Sequence, residues 1–411
     1  MEVLFKVIYI TLQAVATAIF HPWFLLVIYF IYVLYKRNNN IEIQNILFTK
    51  HSVSVRMIQA TLSGILIGIL ASIILVLVGF PIYLSEYMMF LLPISILLAI
   101  INFRYLCFSY SGGILGLLAL VFPNINLDIS GIIALVGIMH LMESGLIFIE
   151  GAYDSIPIVI KKEGKIAAAY MMQKYWPLPF ALLVMEITTK IPREVIEMPN
   201  WWPIMKNIIY NPNEMLIYYI YPITAILGYG DIAVSTSPEK KSKKTAISLM
   251  IYSIVLLSIA VFSPNRIWLQ GIGVILMPLL HEILIVSGQR KERLATPIYY
   301  YPEKGVRILD LKPEGIGEKI GLKRGDVILK INGIEIEDYM HMKEILNNYY
   351  NFIWLDIVEA EGNPKYLEYR NYQEGIKNLG IVPLIDTPIS FYNLENIEKS
   401  GLLKIFKKIK R

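Results

Sequence analysis

Four ionisable residues lie inside long apolar runs: His140 and Glu143 between Ile129 and Ile149, and His281 and Glu282 between Arg266 and Ser287. Ionisable groups at membrane depth are costly and point to function by default. An imidazole beside a carboxylate can do two kinds of chemistry, holding a metal or passing a proton. His140 is about ten residues from the end of its run and His281 about seven, so at ~1.5 Å per residue both lie roughly 10–15 Å deep and can meet. One helix cannot supply a zinc dyad with its base, because His281-Glu282-Ile283-Leu284-Ile285 lacks the second histidine of H-E-x-x-H. The ligand loop expected of a site-2 protease is also missing. The reading favoured here is an interhelical polar pair worth only ~0.6–2 kcal/mol. It includes no catalytic residue, no metal and no cofactor.

Two further motifs have a chemical and a bland interpretation. Leu227-Gly228-Tyr229-Gly230-Asp231 echoes a potassium filter, but Ile226-Leu227 stands where Thr-Val is needed. The lysines from Lys240 onward also place this segment on the cytoplasmic side. Ser111-Gly112-Gly113 with Gly116 lacks the turn and partner histidine of a rhomboid-type nucleophile, and small residues so spaced permit close helix packing. Cys107 is the single cysteine, so no intramolecular disulfide can form, and its apolar setting suggests no thiol chemistry.

The elements that must hold these residues are membrane spans. The chain has 411 residues, of which 55% are hydrophobic and 17% charged, a balance that marks an integral membrane protein. Spanning takes roughly 20 apolar residues. Candidates are Val15 to Tyr35, Met57 to Phe80, Tyr87 to Phe103, Tyr105 to Phe122, Ile129 to Ile149, Thr245 to Ser263 and Arg266 to Ser287. His21-Pro22 should kink the first, and Met1 to Leu12 either lies on the surface or extends it. Seven or eight spans are expected. The N-terminus lacks a small-residue cleavage site and is expected to be retained. Lys36-Arg37, Lys50, Arg56, Arg104, Lys161-Lys162, Lys240-Lys241 and Arg290-Lys291 all mark cytoplasmic loops. That puts the N-terminus outside, or inside if Met1 to Phe20 is a span of its own. The net charge of +5 sits beside apolar spans, which suits anionic lipid and not nucleic acid.

Five regions follow: membrane spans over 1–149, a cytoplasmic or interfacial insert over 150–244, two more spans over 245–288, a folded domain over 298–386 and a tail over 387–411. In the insert, Pro157 to Ile160 and Lys165 to Ala167 read as a β-hairpin, and Met215 to Leu227 as re-entrant or packed along the membrane face. In the tail, Leu402, Ile405, Phe406 and Ile409 alternate with lysines as in a basic interfacial helix.

The domain over 298–386 has the most specific pattern. Gly305 to Leu309 is a strand, Pro313 to Gly317 opens a short helix, and Gly321-Leu322-Lys323-Arg324-Gly325-Asp326 leads into the strand Val327 to Ile331. Asn332-Gly333 then makes a tight turn, and Asp338 to Tyr349 is a helix with Met342, Ile345, Leu346 and Tyr349 on one face. This order resembles a bacterial-type PDZ domain, which grips peptide termini by adding a strand to a sheet edge. The carboxylate loop would be Asn378-Leu379-Gly380-Ile381-Val382, entering an edge strand that ends at Pro383. Since that strand comes last, the domain is expected to be circularly permuted, with His341 and Ile345 on the helix wall facing the peptide. The fold class is therefore a polytopic helical membrane domain followed by a cytoplasmic, permuted α+β PDZ domain.

Phe20-His21-Pro22, Arg104 to Phe108, His140 to Ser144, Gln173 to Pro177, Gly228 to Asp231 and Pro278 to Glu282 together resemble the MinJ-type membrane PDZ proteins of Gram-positive bacteria. The resemblance follows most of the chain in order. It implies a division-site determinant in the cell membrane, enriched at the septum, that links a DivIVA-like coiled coil to the MinC/MinD inhibitor with its MinD-like ATPase. A scaffold of this kind needs no catalysis. Two alternatives from other classes are an intramembrane protease whose PDZ domain presents substrates, and a transporter or channel regulator.

Overall fold

Residues 2–46, 49–188, 195–206, 215–348, 350–386 and 391 are described by the computed structural model. The tail expected to form a basic helix lies outside them, as does Tyr349. The chain opens with α1 (Glu2–Phe20) and α2 (Pro22–Ile46), followed by α3 (Val53–Val78). His21-Pro22 separates the first two, because proline lacks the amide that would continue α1 and is pre-set to start α2. The residues Met1 to Leu12, so far as they are described, extend this first helix.

After α3 come β1 (Ile82–Tyr83), a 3-10 turn over Glu86–Phe90, and α4 (Leu91–Ile101). A second 3-10 turn over Phe103–Leu106 leads into α5 (Phe108–Val121). Both helices are short of the roughly 20 residues a span requires. They form a helical hairpin whose two ends lie at the same level. Tyr83, before α4, donates its amide to Asp128, which caps α6 (Ile129–Glu150). Beyond that helix lie β2 (Ile156–Lys162), β3 (Lys165–Thr188) and β4 (Met215–Ala233), then α7 (Pro238–Phe262) and α8 (Ile267–Leu294). On α5, Gly113 sits against Pro278, Gly116 against Val274 and Gly271 against Leu120, so α5 runs antiparallel to α8. Its C-terminal end returns to the level where α8 begins.

The expected spans Tyr87 to Phe103 and Tyr105 to Phe122 correspond to a pair of shorter apolar helices, Glu86–Ile101 and Phe108–Val121, joined by the turn that carries Arg104. Hydropathy alone does not separate a half-length helix pair from two spans when the intervening turn is itself apolar. Five described helices are long and apolar enough to cross a membrane: Glu2–Phe20, Val53–Val78, Ile129–Glu150, Pro238–Phe262 and Ile267–Leu294.

The region expected to be an insert on one side is built differently. The hairpin of β2 and β3 is present, in register from Ile156↔Met171 to Lys162↔Lys165. β3 then continues as a 24-residue strand antiparallel to β4, from Tyr170↔Ala233 to Thr188↔Met215. Met215 to Leu227 is therefore strand, not a re-entrant helix. The pair runs along the length of α3. One end of α3 is tied by Arg56 to Glu42 and Asp154. At the other end, the Trp202 indole donates to the Val76 carbonyl at 2.9 Å and the Ile204 amide to Val78 at 3.1 Å. Sequence periodicity hid this, because a strand buried on both faces loses its alternation and reads like a helix core.

A strand at this depth must satisfy its backbone without water, and β3 shows how. Ala181 faces Pro222 but turns its amide the other way, to the Ser72 hydroxyl at 2.8 Å, so odd-numbered residues of β3 aim their backbone groups away from β4. The Tyr35 hydroxyl serves both the amide and the carbonyl of Tyr175, at 3.2 and 3.0 Å. Asn38 donates to the carbonyl of Gln173 at 3.4 Å. Pro177 and Pro179 are also odd-numbered and have no amide to satisfy.

A short strand, β5 (Tyr299–Tyr300), pairs with Ala167 and Ala168 of β3, fastening the segment that leaves α8. The C-terminal domain follows: β6 (Val306–Leu311), α9 (Ile316–Lys319), β7 (Val327–Ile331), β8 (Ile334–Glu335), α10 (Tyr339–Leu346), β9 (Phe352–Val358), β10 (Pro364–Arg370) and β11 (Ile381–Pro383). Its sheet has the order β10-β9-β7-β6-β11, with β8 on β7. The last strand in sequence therefore closes the edge next to the first.

Candidate functional site

Of the groove residues expected from sequence, Leu379 and Gly380 lead into the edge strand β11, and Ile381 and Val382 lie in it. Gly380 has φ +66°, a left-handed conformation that glycine adopts without steric cost. Leu379 and Gly380 turn their carbonyls to the amides of Gly317 and Lys312, at 2.6 and 2.7 Å. Among the described residues, no hydrogen bond takes up the amides of Leu379 and Gly380. Ile381 pairs with Leu311 and Val382 with Asp310, so Ile381 and Pro383 flank the inward-bonded pair. Asn378 is exposed and Leu379 is buried in the domain core with Ile345, Leu346 and Ile381. Ile345 is thus a core residue more than an open wall residue, 5% exposed and part of the same buried cluster. His341 is half-buried in the first turn of α10, with Asp338 capping its amide at 2.8 Å.

The domain is not tethered loosely. Asp310 of β6 receives the Lys50 ammonium at 2.5 Å, with both side chains only 6% exposed. Arg324 reaches the same carboxylate at 3.0 Å, and its other nitrogens extend to Ser155 at 3.1 Å and toward Glu239 at 3.6 Å. Burial disfavours the charged Arg324, but Asp310 and the Tyr170 ring outweigh it and hold the guanidinium above the ordinary arginine value. The Tyr170 hydroxyl donates to the Leu309 carbonyl at 2.8 Å, and Val382 and Leu384 pack into the core of the membrane-side domain. Sequence reasoning missed this seat. Lys50 and Asp310 alone are 260 positions apart, and no local motif signals the set.

The four intramembrane residues are placed as follows. His140 and His281 bring their rings to 5.0 Å across α6 and α8. Glu143 lies 3.9 Å from His140 on its own helix. Glu282 turns elsewhere: its carboxylate takes Arg104 at 2.9 Å and the Tyr110 hydroxyl at 2.6 Å, both from the α4–α5 hairpin. Glu282 therefore does not face His140 or Glu143, since the hairpin tip supplies its cation. Cys107, set aside on sequence grounds, stands 3.1 Å from His140 Nε2. Cys107, His140 and His281 offer ligand atoms that all lie within 4.8 Å of one another. The signal that would have found Cys107 is its place one turn beyond Arg104, whose partner Glu282 follows His281 directly in sequence. Asp231, of the filter-like motif, is bonded to Thr245 at 3.0 Å and paired with Lys241 at 3.4 Å at the end of β4.

Apolar helices of spanning length joined to this sheet define a membrane protein carrying a PDZ domain, and residues 307–347 match the PDZ domain family. The chain is similar to the MinJ-type membrane PDZ proteins: it is 24% identical over 229 residues to the cell division topological determinant MinJ of Bacillus subtilis, a match covering 55% of this chain and 54% of that protein. The match thus spans about half the relative's length. A shorter likeness, 40% over 47 residues, is to a serine protease HtrA-like protein of Staphylococcus epidermidis, covering 11% of this chain and 8% of that one.

Proposed function

We propose that this protein is a multi-pass membrane scaffold that recruits cell-division site-selection proteins through its PDZ domain. The observation that carries the reading is the turn at Leu379-Gly380-Ile381, where no backbone hydrogen bond among the described residues takes up the amides of Leu379 and Gly380, on a chain similar over more than half its length to a division determinant. A peptide or a protein's C-terminal segment would add a strand to β11, its carboxylate taking the amides of Leu379 and Gly380, with His341 on the facing helix. Asn378, Ile381 and Val382 would shape the approach. By resemblance, the partners are a DivIVA-like coiled coil and a MinD-like ATPase, with anionic lipid at the basic segments. The domain lies on the cytoplasmic side by the charge of its flanks, and the protein is enriched at the septum.

The reading is non-enzymatic. The HtrA-like segment is the size of a PDZ domain and brings no nucleophile with it. The test is the position of a fluorescent fusion in dividing cells, together with pull-down of division proteins by wild type and by a Gly380→Val variant. Septal enrichment and loss of partners in the variant support the scaffold. A uniform membrane signal, or equal recovery from both proteins, sinks it.

A further inference from the structure

We propose that Cys107, His140 and His281 form a zinc site that pins the tip of the α4–α5 hairpin to α6 and α8. Zinc takes nitrogen at about 2.0–2.1 Å and thiolate at about 2.3 Å in a tetrahedron, which sets its ligand atoms roughly 3.3–3.9 Å apart. The three ligand atoms here lie within 4.8 Å of one another, with Cys107 Sγ and His140 Nε2 at 3.1 Å, so small side-chain adjustments close the site.

The surroundings of both histidines point the same way. His140 directs Nδ1 at the Val136 carbonyl, 2.8 Å away, and a carbonyl can only accept. The proton is therefore on Nδ1, and the lone pair of Nε2 faces Cys107. His281 directs Nδ1 at the Tyr110 hydroxyl, 3.2 Å away. That hydroxyl gives its own hydrogen to Glu282, at 2.6 Å, and so accepts from His281. Both rings are fixed in the tautomer that frees Nε2, by the carbonyl and carboxylate supports that metal-bound histidines use. The Arg104 pairing at 2.9 Å holds the Glu282 carboxylate in place to do this.

Cys107 is the N-cap of α5, where its sulfur accepts the Ser109 amide at 3.4 Å, which fixes the side chain beside His140. Glu143, with a carboxylate oxygen 3.9 Å from His140 Nε2, lies beside this set of three and supplies a negative charge next to it. One thiolate and one carboxylate cancel the charge of a divalent cation, so the loaded site is neutral where an uncompensated charge is most costly. Binding releases the thiol proton of Cys107. His140 and His281 are 3% and 8% exposed, which makes the site closed and its role structural.

The experiment uses the full-length protein in detergent. Metal analysis after purification should return one zinc per chain, and exchange with Co2+ should produce a thiolate-to-cobalt charge-transfer band with tetrahedral ligand-field bands. Cys107→Ser should lose the charge-transfer band. Tyr110→Phe, which removes the acceptor for His281 and its link to Glu282, should weaken zinc about 10–100-fold. Chelator should lower the melting temperature of wild type and leave that of Cys107→Ser unchanged. Wild-type protein that holds no zinc and gives no thiolate band with Co2+ overturns the site without reliance on any variant. So does a Cys107→Ser variant that binds metal as wild type does.

Discussion

Gly68 of α3 lies directly on the carbonyl of Pro179 in β3: a Cβ at this glycine would sit 2.1 Å from that oxygen. Gly64 repeats the relation with Pro177, again at 2.1 Å. The two glycines are one helical turn apart and the two prolines two residues apart, so helix and strand advance together. Each proline removes an amide on the side facing α3, and each glycine lets the remaining carbonyl meet a Cα–H, a weak but favourable contact. Glycine spacing in the helix and proline spacing in the strand are two halves of one interface.

Gly68→Val should therefore separate β3 from α3. Backbone cannot yield as a side chain tip would, and overpacking of this kind costs about 1–3 kcal/mol or more. The expected outcome is a lower melting temperature in detergent and faster proteolysis between β3 and β4, whereas Gly230→Ala, which has open space around its Cβ position, changes neither.

The seat of the PDZ domain makes a second prediction. Asp310→Ala leaves Lys50 and Arg324 buried without their shared carboxylate. Removing one partner from a buried ion pair costs about 3–5 kcal/mol. Amide exchange should rise through Tyr299–Leu311 and in the segment after β11, while the strands within the domain stay protected. Unchanged exchange at Tyr299 to Leu311 would mean that the apolar contacts of Val382 and Leu384 hold the seat without the charges.

The sequence was most legible where a motif is local. Asn332-Gly333 makes its turn, Asp338 caps its helix, and Leu379-Gly380-Ile381 reaches the sheet edge, because each depends on a few adjacent residues. Arg104 shows the limit. A single arginine between two apolar runs reads as a cytoplasmic loop, but here Glu282 and the Tyr105 hydroxyl receive it at 2.9 Å each within the helical bundle. Tyr35, Asn38 and Ser72 were equally opaque, since their task is to satisfy a strand more than a hundred residues away. Long-range polar satisfaction leaves no period in the sequence.

Gly380→Val tests the groove. Valine is strained at φ +66°, and its Cβ would lie 3.3 Å from the Gly315 Cα. Peptide capture measured by fluorescence anisotropy should weaken at least about tenfold, the equivalent of ~1.4 kcal/mol. The melting of the membrane part should be unaltered, because the atoms nearest a Cβ at Gly380 belong to Gly315, Lys312 and Ile316 of its own domain. Capture equal to wild type would place the peptide elsewhere.

The pair at the hairpin tip gives the last prediction. Arg104 and Glu282 are 24% and 32% exposed at the side chain and 2.9 Å apart, set among apolar helices. Either single replacement strands the other charge, so Arg104→Met and Glu282→Leu should each destabilise the protein by several kcal/mol, toward the ~3–5 kcal/mol seen when buried pairs are broken. Replacing both, as Arg104→Met with Glu282→Leu, removes the charges together and should recover much of that loss, since an apolar pair is at home at this depth. Thermal melting of the four proteins in one detergent forms the cycle. Additive single and double effects would show that Arg104 is solvated independently of Glu282, and the hairpin tip would then lie at the membrane surface, not within it.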